Sequence, residues 1–194
     1  MKKLGTSTII IIVVVAILFF WGKGAYNGLV SGEEKVTAAW AQVENVYQRR
    51  ADLIPNLVAT VKGYAEHEKE TLQAVVDARA NATGIKVENL TEEELAKFQQ
   101  AQEQLSSALG RLIAVSEAYP DLKANQNFLE LQSQLEGTEN RITVERNKFN
   151  ETAREYNTAV RSFPKNIFAS IFGFSTKGYF TAAPGAETAP KVEF

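Results

Sequence analysis

The sequence predicts an all-α protein: an N-terminal transmembrane helix followed by an elongated antiparallel bundle of three to four helices with coiled-coil-like packing. Two observations lead to this prediction. The run from Leu4 to Trp21 contains no charged residue. Beyond it, apolar side chains recur at steps of four and three residues, the period of packed helical seams. We expect an anchor over residues 1–25, a helical domain over residues 26–180 and a flexible tail over residues 181–194.

The segment from Leu4 to Trp21 is long enough to span a bilayer as a helix. At ~1.5 Å per residue it covers ~27 Å, close to the ~30 Å thickness of the hydrocarbon core. A cleaved signal peptide is the alternative, because Lys2 and Lys3 make a basic start. Residues 21–25 make a poor cleavage site, so an uncleaved anchor is favoured. The positive charges flanking the segment slightly favour a domain outside the cytoplasm.

The first helix of the domain is predicted from about Val30 to Thr83. Its apolar seam consists of Val36, Trp40, Val43, Tyr47, Ile54, Leu57, Val61 and Tyr64. Arg50 is the one charged residue at a seam position. Pro55 lies inside this helix, where it removes one backbone hydrogen bond and crowds the carbonyl of Ala51. Because the seam continues on both sides of the proline, we expect a bend rather than a break.

Two further helices are predicted. Thr91 and Glu94 have the spacing of a capping box, which predicts a second helix that ends before Pro120. The third is expected from about Asn125 to Ser162. Its large side chains recur every seven residues at Phe128, Leu135, Ile142, Phe149, Tyr156 and Phe163. A straight helix drifts ~20° per heptad from such a row, so the row indicates supercoiling against neighbouring helices.

An up, down, up arrangement of these helices determines where the last apolar segment should lie. The first helix would extend ~80 Å, the second would return ~40 Å and the third would run outward again by ~57 Å. The segment over residues 166–180 would then cap the tip farthest from the membrane. A second membrane contact and a contact between subunits are the alternatives. The membrane-proximal part of the first helix would lack a partner, so we expect a homo-oligomer.

The composition offers little for catalysis. The chain has no cysteine and one histidine, His67, and Thr71 stands where a zinc-binding helix would need a second histidine. The 21 basic and 23 acidic residues give a net charge of −2, which does not favour nucleic acid. The sequence therefore predicts no catalytic residue, no metal site, no cofactor and no nucleic-acid partner.

Arg50 is the main candidate for an interface residue, because it places a guanidinium in an apolar seam. We expect it to pair with Glu136 or Glu139 of the third helix and to set the helix register. The alternative is an arginine whose stem packs while its head reaches water. The other candidate structural or interface residues are Pro55, Phe168, Phe172 and Phe174.

Several stretches of the sequence resemble the LemA family. They run from Trp40 to Val58, from Tyr119 to Asn125 and from Leu135 to Ile142, and the pairs Phe149-Asn150 and Tyr156-Asn157 follow. The resemblance implies a bacterial protein with an N-terminal transmembrane helix, a helical domain and no established enzymatic activity, and it supplies no catalytic residues. It also implies a cytoplasmic domain, opposite to the charge count, so both orientations stay open.

Two functional hypotheses follow. The first is a single-pass scaffold in the bacterial cytoplasmic membrane that acts by self-association or protein binding, without catalysis. The second is a binding or signal-transmitting module for an envelope protein, in which the bend at Pro55 would be the moving part.

Overall fold

The computed structural model describes residues 5–181, and every regular element within them is helical. In chain order the elements are α1 (Thr6–Lys62), α2 (Lys69–Gly84), α3 (Glu92–Val115), a 3-10 turn (Ser116–Ala118), α4 (Pro120–Lys123), α5 (Gln126–Arg161) and α6 (Lys165–Phe172). The all-helical fold class is confirmed, while coiled-coil-like packing stays a prediction. Of the predicted tail, only Thr181 lies within the described residues.

Helix α1 joins the apolar segment and the helical domain without interruption. It has 57 residues, which corresponds to ~86 Å. Among the described residues, it is the one helix long and apolar enough to cross a membrane. Side chains over residues 7–21 are exposed, whereas from Ala25 to Val61 one face of the helix is buried. The apolar segment and the core-forming stretch therefore follow each other along one continuous helix.

The first helix ends at Lys62, so the prediction that it extends to about Thr83 was wrong. Residues 63–68 form turns, and Tyr64, the last predicted seam residue, is 43% exposed. Gly63 is the residue at the helix end, and glycine is ~1 kcal/mol less favourable than alanine inside a helix. The apolar period of the sequence continues beyond this turn because Leu72 and Val75 of α2 are also buried. Periodicity alone cannot distinguish one long seam from two seams that meet at a turn.

Pro55 contributes to the packing of α2 on α1. The helix continues through the proline, which cannot donate a hydrogen bond to the carbonyl of Ala51 four residues earlier. Instead, Nε of Arg79 in α2 donates to the Ala51 oxygen at 2.7 Å. The proline thus leaves an acceptor on α1 that a neighbouring helix uses.

The helices alternate in direction along the molecule. Helix α2 folds back along the distal half of α1, and α3 runs outward again beside α2, with Asn81 Nδ2 3.3 Å from Gln104 Oε1. Helix α5 then returns along α1. Its first turn places Phe128 in the core cluster at the distal end of α1, and near its last turns the Tyr156 ring packs on Gly32.

The predicted helix starts are confirmed by their capping contacts. The Thr91 side chain accepts a hydrogen bond from the N–H of Glu94 at 3.2 Å, and α3 begins there. The Glu94 carboxylate accepts from the N–H of Asn89 at 2.9 Å, which lowers the pKa of this glutamate. Asn125 caps α5 by accepting from the N–H of Phe128 at 3.0 Å.

The core has two adjoining clusters of different composition. The membrane-proximal cluster is rich in aromatic rings, including Trp40, Phe98, Phe149, Tyr156 and Phe180. The distal cluster is mostly aliphatic, including Ile54, Leu57, Leu105, Leu112 and Leu135. The row of large side chains on α5 is buried from Phe128 to Tyr156, whereas Phe163, which follows the helix, is 80% exposed.

The contact at Pro55 predicts an energetic coupling between α1 and α2. Arg79→Ala should lower the free energy of unfolding by about 1–2 kcal/mol, because the Ala51 carbonyl loses its donor. Pro55→Ala restores a helical N–H that can take this carbonyl. The cost of Arg79→Ala should therefore be smaller in the Pro55→Ala background, as measured by chemical denaturation of the wild type, the two single variants and the double variant. Equal costs in both backgrounds would refute the coupling.

Candidate interaction sites

A buried arginine connects three helices at the centre of the domain. Arg50 is 2% exposed. Its Nη1 donates to Glu139 Oε2 of α5 at 2.7 Å and to Ser106 Oγ of α3 at 2.8 Å. Its Nη2 donates to Gln102 Oε1 at 2.6 Å, and the Tyr47 ring centroid lies 5.1 Å from the guanidinium carbon. These contacts join α1 to α3 and α5.

The structure places Glu139, and not Glu136, against Arg50. Glu136 is exposed and accepts a hydrogen bond from Gln132 of its own helix at 3.1 Å. The guanidinium is buried rather than solvated, but the Glu139 side chain remains 53% exposed. Because water reaches one partner, the ion pair itself adds modestly to stability, and its geometry matters more than its charge. A role in setting helix register stays a prediction.

After α6 the chain crosses the domain without regular secondary structure over residues 174–181, a segment that we call the strap. Two asparagines of α5 bind its backbone. Asn157 accepts from the N–H of Lys177 at 2.8 Å and donates to its carbonyl at 2.7 Å. Asn150 makes the same pair of bonds with Phe180, both at 2.9 Å. The carboxamides thus satisfy backbone groups that have no helical partner.

The end of the strap is bound to α3. Gln99 donates to the Thr181 carbonyl at 3.1 Å and accepts from its N–H at 3.2 Å. The N–H of Gly178 donates to the Leu90 carbonyl at 2.8 Å. A Cβ on Gly178 would lie 2.7 Å from the Cα of Glu92, so this close approach requires glycine. The strap therefore ties α5 to the start of α3.

The ring of Phe180 places the strap in the aromatic part of the core. It stacks on Trp40 with centroids 6.0 Å apart and meets Phe149 edge-on at 5.6 Å. The Arg146 guanidinium carbon lies 4.6 Å from the ring centroid. Since Phe180 is 5% exposed, the strap is part of the packed domain.

The sequence analysis did not identify the three carboxamide side chains that bind the strap, those of Asn150, Asn157 and Gln99. The sequence feature that could have identified two of them is the spacing of Asn150 and Asn157. They are seven residues apart, and each directly follows a large aromatic residue. Seven-residue spacing places both side chains on one edge of α5, beside the buried row. The spacing could have predicted that both asparagines bind the same segment of chain. Gln99 lies on another helix, and no sequence pattern connects it with them.

Aromatic residues of α1, of α6 and of the first position of the strap meet beside the apolar segment and form a group that we call the aromatic collar. Trp21 packs against Phe168 with ring centroids 5.0 Å apart. Tyr26 packs against Phe172 at 5.0 Å and against Phe174 at 5.6 Å. The three candidate phenylalanines therefore lie together, against the part of α1 that follows the apolar segment.

This location corrects the prediction that residues 166–180 cap the distal tip. Helix α6 lies beside Gly22, where a Cβ would come within 2.9 Å of the Phe168 ring. The turn over residues 63–68 is the reason, because it adds one reversal and sends α5 back towards the apolar segment. Helices α5 and α6 also cover the membrane-proximal part of α1. The argument that a second chain must cover that part was therefore wrong.

A buried tyrosine and an ion pair lie next to the collar. Burial raises the pKa of Tyr156 to about 12, and the nearby Glu33 carboxylate shifts it in the same direction. Lys177 Nζ of the strap lies 2.8 Å from Glu33 Oε1 of α1. The phenol thus stays neutral at physiological pH, and the ion pair holds the strap against α1.

The geometry offers little that resembles an active site. Across residues 5–181, no group of three or more His, Cys, Asp or Glu side chains could hold a metal ion. His67 is exposed in the turn between α1 and α2. A cleft of about 120 Å³ lies beside Tyr47 and Gln102. Open grooves of about 370 to 420 Å³ lie along α1 beside Phe163, Phe172 and Asn56, a size that small-molecule sites also have. The hydrogen bonds described above hold helices and the strap together.

Comparison with known proteins assigns this architecture to one family. The family model described as LemA family matches residues 39–194. Magnetosome protein MamQ of Magnetospirillum gryphiswaldense is 29% identical over 182 residues, which cover 84% of this chain and 67% of the relative. Protein LemA of Metamycoplasma hominis is 24% identical over 172 residues, which cover 89% of this chain and 76% of the relative. The range of the family match includes Arg50, α6 and the strap.

The Arg50 contacts predict different effects for two neighbouring glutamates. Glu139→Gln should lower the free energy of unfolding by about 1 kcal/mol, because the buried guanidinium keeps only neutral acceptors. Glu136→Gln removes the same charge from the same helix without touching Arg50, and should leave stability unchanged. Urea unfolding followed by circular dichroism measures both. Equal effects of the two substitutions would argue against a specific pairing.

The strap predicts a local effect of one asparagine. Asn150→Ala removes two hydrogen bonds to Phe180 and should lower stability by about 1–3 kcal/mol. Amide hydrogen exchange should accelerate most over residues 174–181. Asn147→Ala, at an exposed position of the same helix, is the matched control. Exchange that accelerates equally across the whole chain would show that Asn150 does not act through the strap.

Proposed function

Since this chain belongs to the LemA family, we propose that it is a membrane-anchored helical scaffold that acts by self-association or protein binding, without catalysis. The continuity of α1 is the observation that supports this function best. One helix carries both the apolar segment and the buried face of the domain. A domain joined to its anchor in this way has a defined height and direction relative to the bilayer, which suits the presentation of binding surfaces.

The packing around α1 also supports a rigid role. Helix α5 has 36 residues, or ~54 Å, which matches the part of α1 beyond a ~30 Å membrane span. Arg50 and the strap connect α1, α3 and α5 by hydrogen bonds to side chains and backbone. A stem supported along its length resists bending more than a single exposed helix would.

The relatives are consistent with a role at a membrane. Those from Magnetospirillum gryphiswaldense and Paramagnetospirillum magneticum are named as magnetosome proteins, and none of the relatives' names denotes an enzyme. For this chain we propose the bacterial cytoplasmic membrane, with residues 1–25 as anchor and residues 26–180 as the functional domain. Both orientations of the domain are compatible with this scaffold.

A signal-transmitting module for an envelope protein is the second candidate, and the Pro55 region supports it. Arg79 donates to the carbonyl that the proline leaves free, so a change in the geometry of α1 at Pro55 would be transmitted to α2. In that case Pro55→Ala should alter the response to a partner without altering assembly.

Particle size tests the self-associating form of the scaffold. We expect the full-length chain in detergent to form particles larger than one protomer, measured by multi-angle light scattering. A chain that starts at Tyr26 should form smaller particles if the apolar segment drives assembly. Discrete monomers in both samples would count against self-association and favour binding of a different protein.

A further inference from the structure

We propose that α6 and the preceding Phe163 form a lipid-binding surface that inserts into the headgroup layer of the bilayer beside the anchor. This inference rests on the proposed membrane anchoring and adds a second, peripheral contact with the same bilayer. The surface consists of Phe163, Ile167, Ile171 and Phe172, and we call it the α6 surface.

The α6 surface is exposed although all its members are large and apolar. Phe163 is 80%, Ile167 48%, Ile171 69% and Phe172 55% exposed. Ala169 of α6 is buried in the core, and Phe172 packs on Tyr26 with one side while more than half of its side chain stays exposed. Large apolar side chains that lie together on a surface mark a site of interaction, and one face packed with the other apolar and exposed is typical of interfacial helices.

The position of α6 along α1 identifies the bilayer as the occupant. The hydrocarbon core is ~30 Å thick and the whole bilayer ~40–45 Å, which leaves ~5–7.5 Å for each headgroup layer, or about three to five helical residues. If the span ends at Trp21, residues 22–26 lie in that layer. Helix α6 contacts α1 at Gly22 and Tyr26, so it lies at the depth of the headgroups. Trp21 and Tyr26 are also the residue types enriched at membrane interfaces.

Charge around the collar favours anionic lipid headgroups. Neither residues 5–32 nor residues 156–181 contain an aspartate or glutamate. The same two segments carry Lys23, Arg161, Lys165 and Lys177, of which Lys177 pairs with Glu33. Basic side chains beside an apolar surface attract anionic lipids. A second copy bound to the same surface would bring these positive charges close together, and they would repel each other. Anionic lipid is therefore the better partner.

Spin labels at single cysteines test the depth of the α6 surface. The natural chain has no cysteine, so each label site is unique. We compare full-length Ile171→Cys with Ile12→Cys in the apolar segment and with Val144→Cys, exposed on α5 far from the collar. In vesicles of phosphatidylcholine and phosphatidylglycerol, the ratio of oxygen to nickel-chelate accessibility should be several-fold higher at positions 171 and 12 than at 144.

The three positions separate failure of this inference from failure of the anchor. A low ratio at position 171 with a high ratio at position 12 overturns the α6 contact and leaves the anchoring intact. Low ratios at both positions overturn the anchoring and the proposed function with it. Spin–spin broadening at position 171 that disappears on dilution with unlabelled protein means that a second copy covers the surface, and this also overturns the lipid contact.

Lipid composition tests the part played by charge. The ratio at position 171 should fall in vesicles of phosphatidylcholine alone, whereas the ratio at position 12 should not change. Lys165→Gln should reduce the difference between the two vesicle types. A ratio at position 171 that is independent of phosphatidylglycerol overturns the preference for anionic lipid.

Discussion

Burial of one face of α1 is the constraint on which the rest of the structure depends. The helix leaves the apolar segment and continues with a row of apolar side chains from Leu29 to Val61, all at most a few per cent exposed. Each fully buried large side chain of this kind contributes about 1.5–3 kcal/mol relative to exposure. The row is too long for one short neighbour, so α5, the strap and the pair α2 and α3 divide it between them. The aromatic and aliphatic clusters are the two halves of this shared interface.

The turn over residues 63–68 decides how the interface is closed. Without it, three long helices would alternate and the chain would finish at the distal end. With it, four helices alternate, and α5 returns to the start of the domain. That return brings α6 and the strap back to the collar, where Phe168, Phe172 and Phe174 pack on α1. A local break in one helix therefore determines which end of the molecule holds the last aromatic residues.

Polar side chains add directional contacts to the apolar packing. Arg50 offers several donors in a rigid planar group and binds α3 and α5 to α1, and that it sets the helix register stays our proposal. Asn150, Asn157 and Gln99 act in the same way on the strap, since each binds both an N–H and a carbonyl of one residue. Arg79 adds a further directional contact, because it donates to the Ala51 carbonyl that Pro55 leaves free. These contacts connect helices and the strap to one another. They are consistent with the proposed scaffold.

The sequence alone was sufficient for features that depend on residues near each other in the chain. The helical periods identified the buried faces of α1 and α5, and the caps at Thr91 and Asn125 identified two helix starts, because side chains three or four residues apart interact within one helix. Only the tertiary structure decided that the seam folds back after Lys62, that Arg50 meets Glu139, and that Asn150 binds a segment thirty residues later. Those outcomes depend on which helices are neighbours, and a repeating apolar pattern is equally compatible with several arrangements of neighbours.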